Sequence, residues 1–186
     1  MAFELILLCV GGLLIAAVLF FVFAYNGLIT LRNRIDNAWS QIDVQLKLRY
    51  DLVHNLVETV KGYAKHEKEL FTDVTKARAA TAKADSISEK AKADNMLSNT
   101  LKSILAVAEN YPALRANENF KMLQEELSGI ENKIAYARQF YNDSVLSYNT
   151  QIATIPTNIV ANMFGLKARD FFKTEGAERE NVKVKF

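Results

Sequence analysis

Asp51, His54 and Glu58 have the types and spacing for metal chemistry: at i, i+3 and i+7 they share one face of a helix, where two carboxylates and an imidazole can converge on a divalent ion. The same residues on the wet side of an amphipathic helix would simply be solvated, so the arrangement permits a metal- or ligand-sensing bundle without requiring one. No metal and no cofactor is assigned on this ground. Arg49 and Arg138 are the second feature, because each interrupts an apolar stripe. A buried guanidinium must be paired, and carboxylates such as Asp51, Glu131 or Asp143 are within reach in sequence. Together the two arginines would form a buried polar layer that fixes helix register, unless they snorkel to water from the stripe edge. There is no phosphate-binding glycine loop, no HExxH, no pair of cysteines and no glycine elbow around a serine. With nothing resembling a catalytic set, the chain is expected not to be an enzyme.

A third stretch, ENKIAYARQFYNDSVLSYN at 131–149, holds four aromatic rings without proline or glycine. Counting by sevens places Tyr141 and Tyr148 in a row with Phe120, Leu127, Ile134 and Ile155, joined by Leu123, Ile130 and Ala137, then Val145 and Ile152. These two rings therefore read as a packed seam between helices before they read as a ligand box. Tyr136 and Phe140 lie off that row, four residues apart, and are free to face a third helix or a partner.

The elements that position these residues are helical. Seven Gly and two Pro in 186 residues leave few turns, and the length suits one domain. From Leu5 to Tyr25 there are 21 residues without a charge. As a helix this run spans roughly 31 Å, enough for a bilayer core of about 30 Å. The start MAFE has no Lys or Arg and no small-residue cleavage site follows, so the run reads as a transmembrane helix, not a leader. Cys9 lies inside it as a small hydrophobe. All 23 Lys and Arg and 20 of the 21 acids lie beyond the run, a net +3 that argues against a nucleic-acid surface. Arg32, Arg34, Lys47 and Arg49 follow the span, so the bulk of the chain is expected in the cytoplasm with the amino terminus outside.

Between Leu28 and Tyr111 there is no proline and a single glycine, Gly62. Apolar residues recur by sevens as Leu28, Ile35, Ile42, Leu56, Tyr63, Leu70 and Ala77, with a companion row Trp39, Leu46, Val53, Val60 and Val74. This coiled-coil-like pattern predicts one very long helix to about residue 80. The stretch ARAATAKADSISEKAKADN leaves almost nothing to bury and reads as a solvated tip, with Ser86 to Glu89 as a capping box. A helix from Met96 stops at Pro112, and the asparagines of LRANEN suit a new start. After Pro156, TNIVANMFGLKARDFF offers Asn158 as a cap and Gly165 as a stop. Its apolar residues either fold back on the bundle or dock on membrane or partner. The expected domains are an anchor at 1–27, an antiparallel helical bundle at 28–174 and a mobile charged tail at 175–186.

The runs AWSQIDVQLKLRYDLVHNLVETVKGYAKHE, LAVAENYPALRANENF and ENKIAYARQFYNDSVLSYN closely resemble the LemA family of bacterial membrane-anchored proteins, over roughly residues 25 to 172. His54 departs from the pattern, standing where many members are expected to have proline. The resemblance implies an all-α fold, a transmembrane helix followed by a bundle of long helices, in the bacterial inner membrane. It supplies no reaction, and it associates the family with membrane metalloproteases. The leading expectation is a non-enzymatic scaffold that forms homo-oligomers or organises other membrane proteins. An adaptor for a membrane metalloprotease is the alternative. Trp39, Tyr63, Tyr136, Phe140, Phe164 and Phe171 are the expected assembly surface, with Gly11 and Gly12 allowing close helix approach in the bilayer.

Overall fold

The computed structural model describes residues 1–173, and the expected charged tail at 175–186 lies outside them. The fold is all-α, six helices with no strand among the described residues: α1 (Ala2–Lys61), α2 (Lys68–Lys83), α3 (Ile87–Glu109), α4 (Pro112–Ala116), α5 (Glu118–Ala153) and α6 (Thr157–Met163). The apolar run and the first bundle helix are one element, since α1 passes through Asn26 and Gly27 without a break. Two compact units are formed, one from Met1–Trp39 with Phe140–Phe171, the other from Ser40–Gln139 with Phe172.

In the second unit, α1, α2, α3 and α5 alternate in direction. Lys61 faces Phe71 and Tyr50 faces Arg78, so α2 runs back along α1. Asp43 and Arg49 meet Lys90 and Asp94 in the same order, so α3 is parallel to α1. Tyr63 meets Asn117 and Arg49 meets Glu131, which makes α5 antiparallel to it. The shared core holds Val53, Leu56 and Val60 from α1, Val74 from α2, Leu101 and Ile104 from α3, and Phe120 and Leu127 from α5.

The long helix expected to reach residue 80 ends at Lys61 instead. Gly62 weakens the helix by about 1 kcal/mol relative to alanine, and the Tyr63 and Ala64 amides turn back onto the Val60 carbonyl at 3.0 and 2.9 Å. The heptad row survives the break because α2 folds back and buries Val74 and Ala77 in the same core. Tyr63, counted in that row, is exposed at the turn.

The alanine-rich stretch at 77–95 also differs from expectation. Ala77, Ala84, Ala91, Ala93 and Asp94 are buried, because small side chains let helices approach closely. Its capping box is formed: the Glu89 amide donates to Ser86 Oγ at 3.2 Å, and the Ser86 amide donates to Glu89 Oε2 at 3.0 Å. Pro112 opens α4 at a position that needs no N–H, and Asn117 Oδ1 caps α5 by accepting from the Phe120 amide at 3.0 Å.

In the first unit, α5 runs antiparallel to α1, with Trp39 against Tyr141 and Ile152 beside the cluster around Leu28. The α5 stripe ends before Ile155, which is exposed because the helix stops at Ala153. Asn158 does not cap α6, which starts one residue earlier at Thr157. Gly165 does stop it: at φ +62° it lets the Leu166 amide reach the Ala161 carbonyl at 2.9 Å and its own amide reach that of Asn162 at 3.2 Å. This pair of hydrogen bonds to the last turn is a Schellman closure, and Leu166 packs onto the Leu28, Val160 and Ala161 cluster, the apolar contact that often accompanies it.

Candidate functional site

The second unit is organised around charge. Arg49 on α1 is completely buried and donates from Nη1 to Asp94 on α3, itself 2% exposed. Its Nη2 reaches Glu131 on α5 at 2.7 Å and Ser98 Oγ on α3 at 2.8 Å. Arg138 on α5 pairs with the other Asp94 oxygen and lies over the Phe172 ring at 5.0 Å. Among the described residues, three helices thus share two cations and two carboxylates, whose charges balance. Balance is what permits it, since an unpaired ion here would cost several kcal/mol. Burial pushes the Arg49 guanidinium below its usual range, and Glu131 opposes that shift.

Of the carboxylates expected around the arginines, Glu131 participates while Asp51 and Asp143 do not. The central partner, Asp94, lies in the alanine-rich stretch whose composition predicts a solvated tip. Yet Asp94, Leu97, Leu101, Ile104 and Ala108 alternate by three and four, so Asp94 interrupts a stripe just as Arg49 does. Beside it opens a cavity of about 330 Å³, lined by Asp43, Leu46, Tyr50, Thr81, Lys90 and Asp94. Asp43 and Lys90 are already paired with each other across it.

The Asp51, His54 and Glu58 face gathers no metal set: among the described residues no group of three His, Cys, Asp or Glu is placed to hold an ion. His54 Nδ1 lies 3.2 Å from the Arg78 guanidinium, and Glu58 is held below the usual carboxylate range by its hydrogen bond to Lys61.

The residues named for assembly fall in different places. In the second unit, the Tyr63 hydroxyl accepts from Asn117 Nδ2 at 2.9 Å, and Tyr136 is 74% exposed. They are not one patch, because the 19 residues of α5 from Asn117 to Tyr136 put roughly 28 Å between them. In the first unit, Trp39 is half-buried at 5.7 Å from Tyr141, Phe140 carries Arg34 over its ring at 4.8 Å, and Phe164 stacks on Tyr25 at 4.4 Å. Phe171 is 39% exposed. Gly11 and Gly12 have no neighbour within 4 Å, so a second helix can approach them.

Next to Trp39, the Tyr141 ring is tied by a hydrogen bond to the chain after α6. The Tyr141 hydroxyl donates to the Asp170 carbonyl at 2.9 Å, and Asn149 exchanges hydrogen bonds with the Arg169 backbone, both at 2.9 Å. Arg169 reaches Asp36 at 2.8 Å. The chain after α6 therefore folds back onto its own unit. Burial raises the Tyr141 phenol above its usual range.

Below these contacts, the apolar part of α1 meets almost nothing: its most apolar 18-residue window is 0% buried and has a mean hydropathy of 3.1. A helix apolar all round and uncovered needs lipid as its solvent. These features define a single-pass membrane protein with an all-α body. The LemA family model matches residues 38–186, and the chain belongs to the LemA family. Among its relatives, Magnetosome protein MamQ 2 of Paramagnetospirillum magneticum is 24% identical over 179 residues, covering 82% of this chain and 66% of that protein. Magnetosome protein MamQ of Magnetospirillum gryphiswaldense is 23% identical over 190 residues, 88% of this chain and 70% of that protein. Protein LemA of Metamycoplasma hominis is 28% identical over 170 residues, 87% of this chain and 76% of that protein. The chain thus spans just under two thirds of the length of the first of these.

Proposed function

We propose that the protein is a non-enzymatic, membrane-anchored scaffold, whose anchor at 1–27 holds a helical body at 28–174 on the cytoplasmic face of a bacterial inner membrane, where copies associate or organise other membrane proteins. The observation that carries the reading is α1 itself: one uninterrupted helix begins as an uncovered apolar segment and ends inside a packed bundle. A helix built this way tethers whatever the bundle binds to the bilayer. Arg32 and Arg34 after the apolar run support the cytoplasmic orientation. Two relatives named as magnetosome proteins suit a role in membrane organisation.

The test is the molar mass of the full chain in detergent, measured by light scattering with detergent correction. A defined oligomer that falls to a monomer in Gly11→Leu with Gly12→Leu places assembly in the bilayer. One that falls in Tyr136→Ser with helical content unchanged places it on the bundle. A monomer throughout sinks self-association, and a one-to-one crosslink to a membrane protease in cells would then put an adaptor in its place.

A further inference from the structure

The end of the first unit carries an apolar face that the membrane anchor alone does not explain. Between Asp143 and Lys167 the chain has no charged residue, and α1 has none between Glu4 and Arg32. These two charge-free stretches pack together: Val160 and Ala161 of α6 bury against Leu28, with Phe21, Ala24, Tyr25, Ile152 and Leu166 around them. Three of those contacts, Phe21, Ala24 and Tyr25, lie within the run that spans the bilayer. Helix α6 is therefore fixed beside the last turns of the span, not above them.

Its other face is bare. Ile155 is 82% exposed, Met163 65% and Ile159 53%, whereas Phe164, 53% exposed, keeps its ring against Tyr25. Three large apolar side chains bare on one short segment would be an aggregation hazard in water. Cations stand where the charge-free stretches end: Arg32 and Arg34 on α1, and Lys167 after α6. That order, apolar face and then basic residues, is the order of the boundary between acyl chains and headgroups.

We infer that α6 is a second membrane contact: the hairpin end formed by Ile155, Ile159 and Met163 lies in the acyl-headgroup boundary of the leaflet that α1 leaves. The occupant of the bare face is the lipid bilayer. Continuity with the spanning run of α1 selects lipid over a second copy, because the face begins at the depth where that run is still inside the hydrocarbon. The Schellman closure at Gly165 fixes where the chain leaves the boundary, turning it from Phe164 to Lys167 within three residues.

The inference rests on the spanning reading of α1, and one experiment separates the two. The full chain with Cys9→Ala is reconstituted in vesicles of phosphatidylethanolamine and phosphatidylglycerol. Nitroxide labels are placed singly on Ile15→Cys, Ile159→Cys, Met163→Cys and, as a water-exposed reference, Lys133→Cys. Collision with oxygen, which partitions into lipid, is compared with collision with a neutral nickel chelate, which stays in water. We expect labels at 15, 159 and 163 to favour oxygen, with 159 and 163 shallower than 15, and the label at 133 to favour nickel. Nickel-favouring labels at 159 and 163 beside a lipid-exposed 15 would overturn the inference and leave the span intact. If 15 also favours nickel, the spanning reading fails with it. Low collision with both reagents at 159 and 163 would put protein on this face, and that too overturns the proposal.

Discussion

The two units hold themselves together by opposite means. The second closes over ions, Arg49 and Asp94 at 0% and 2% exposure, and fills the rest mainly with aliphatic side chains and Phe120. The first is closed by rings and backbone carbonyls around Trp39, Tyr141 and Tyr148, without a buried ion pair among the described contacts. Buried ions make a layer intolerant of any single loss, whereas a neutral aromatic core degrades in steps. The units also differ in sequence economy. A balanced charge layer specifies which helices meet and in what register, because a slip of one turn would strand a guanidinium.

The largest expected effect follows from breaking that balance. Asp94→Ala takes the shared carboxylate away from Arg49 and Arg138, and should cost about 3–5 kcal/mol, the range for breaking a buried pair by removing one partner. Chemical denaturation of the full chain in detergent, followed by circular dichroism, measures it. The sharper form removes the layer as a whole: Arg49→Met with Asp94→Leu and Arg138→Leu takes out both cations and the buried carboxylate, and leaves Glu131, which at 41% exposure is within reach of water. Stability should then return to the parent value or above. A triple variant as unstable as Asp94→Ala would mean that the site needs its shape and not its charge balance.

A smaller effect is expected at the tip of the first unit. Gly165 sits at φ +62° with nothing within 4 Å of where a Cβ would stand, so Gly165→Ala meets no clash and pays only for the left-handed backbone. That is worth about 1–2 kcal/mol. Hydrogen exchange should show the loss confined to residues 157–173, with the α2 and α3 amides unchanged. Equal deprotection of α3 would show that strain at this turn spreads beyond its own unit.

How much of this was legible from residues alone depended on what kind of pattern carried it. The rows through Leu28, Ile35, Ile42 and Leu56, and through Phe120, Leu127, Ile134 and Tyr141, are the observed core, because burial follows helical period whatever the topology. The same rows hid the turn at Gly62, since a heptad count cannot distinguish a helix that continues from one that folds back onto itself. Asp94 was missed for a related reason: alanine and aspartate look solvated by composition, and only their spacing with Leu97 and Leu101 shows that they face inward. The capping box at Ser86 and the stop at Gly165 were legible because each is decided within a few residues. The fold-back of Arg169 onto Asp36 was not, being a contact across 133 positions that no local rule encodes.

The smallest effect tests whether the neutral core of the first unit owes anything to ionisation. Tyr141→Phe removes one hydrogen bond, from the phenol to the Asp170 carbonyl, and should cost about 1 kcal/mol at neutral pH. Burial raises the Tyr141 pKa, with Arg169 opposing, so the folded chain holds a proton that the unfolded chain releases near pH 10. The sign follows: the contribution is complete below about pH 10 and is lost as pH rises through the raised folded value. Thermal unfolding between about pH 8 and 11 should therefore show the parent losing stability faster than the variant, so that the two curves converge at the alkaline end. The variant keeps a residual alkaline decline from Tyr111, whose hydrogen bond to Glu67 raises its own pKa. A gap that stays constant across the range would mean that the phenol is as well solvated as in the unfolded chain, and the contrast between an ionic and a neutral core would then rest on packing alone.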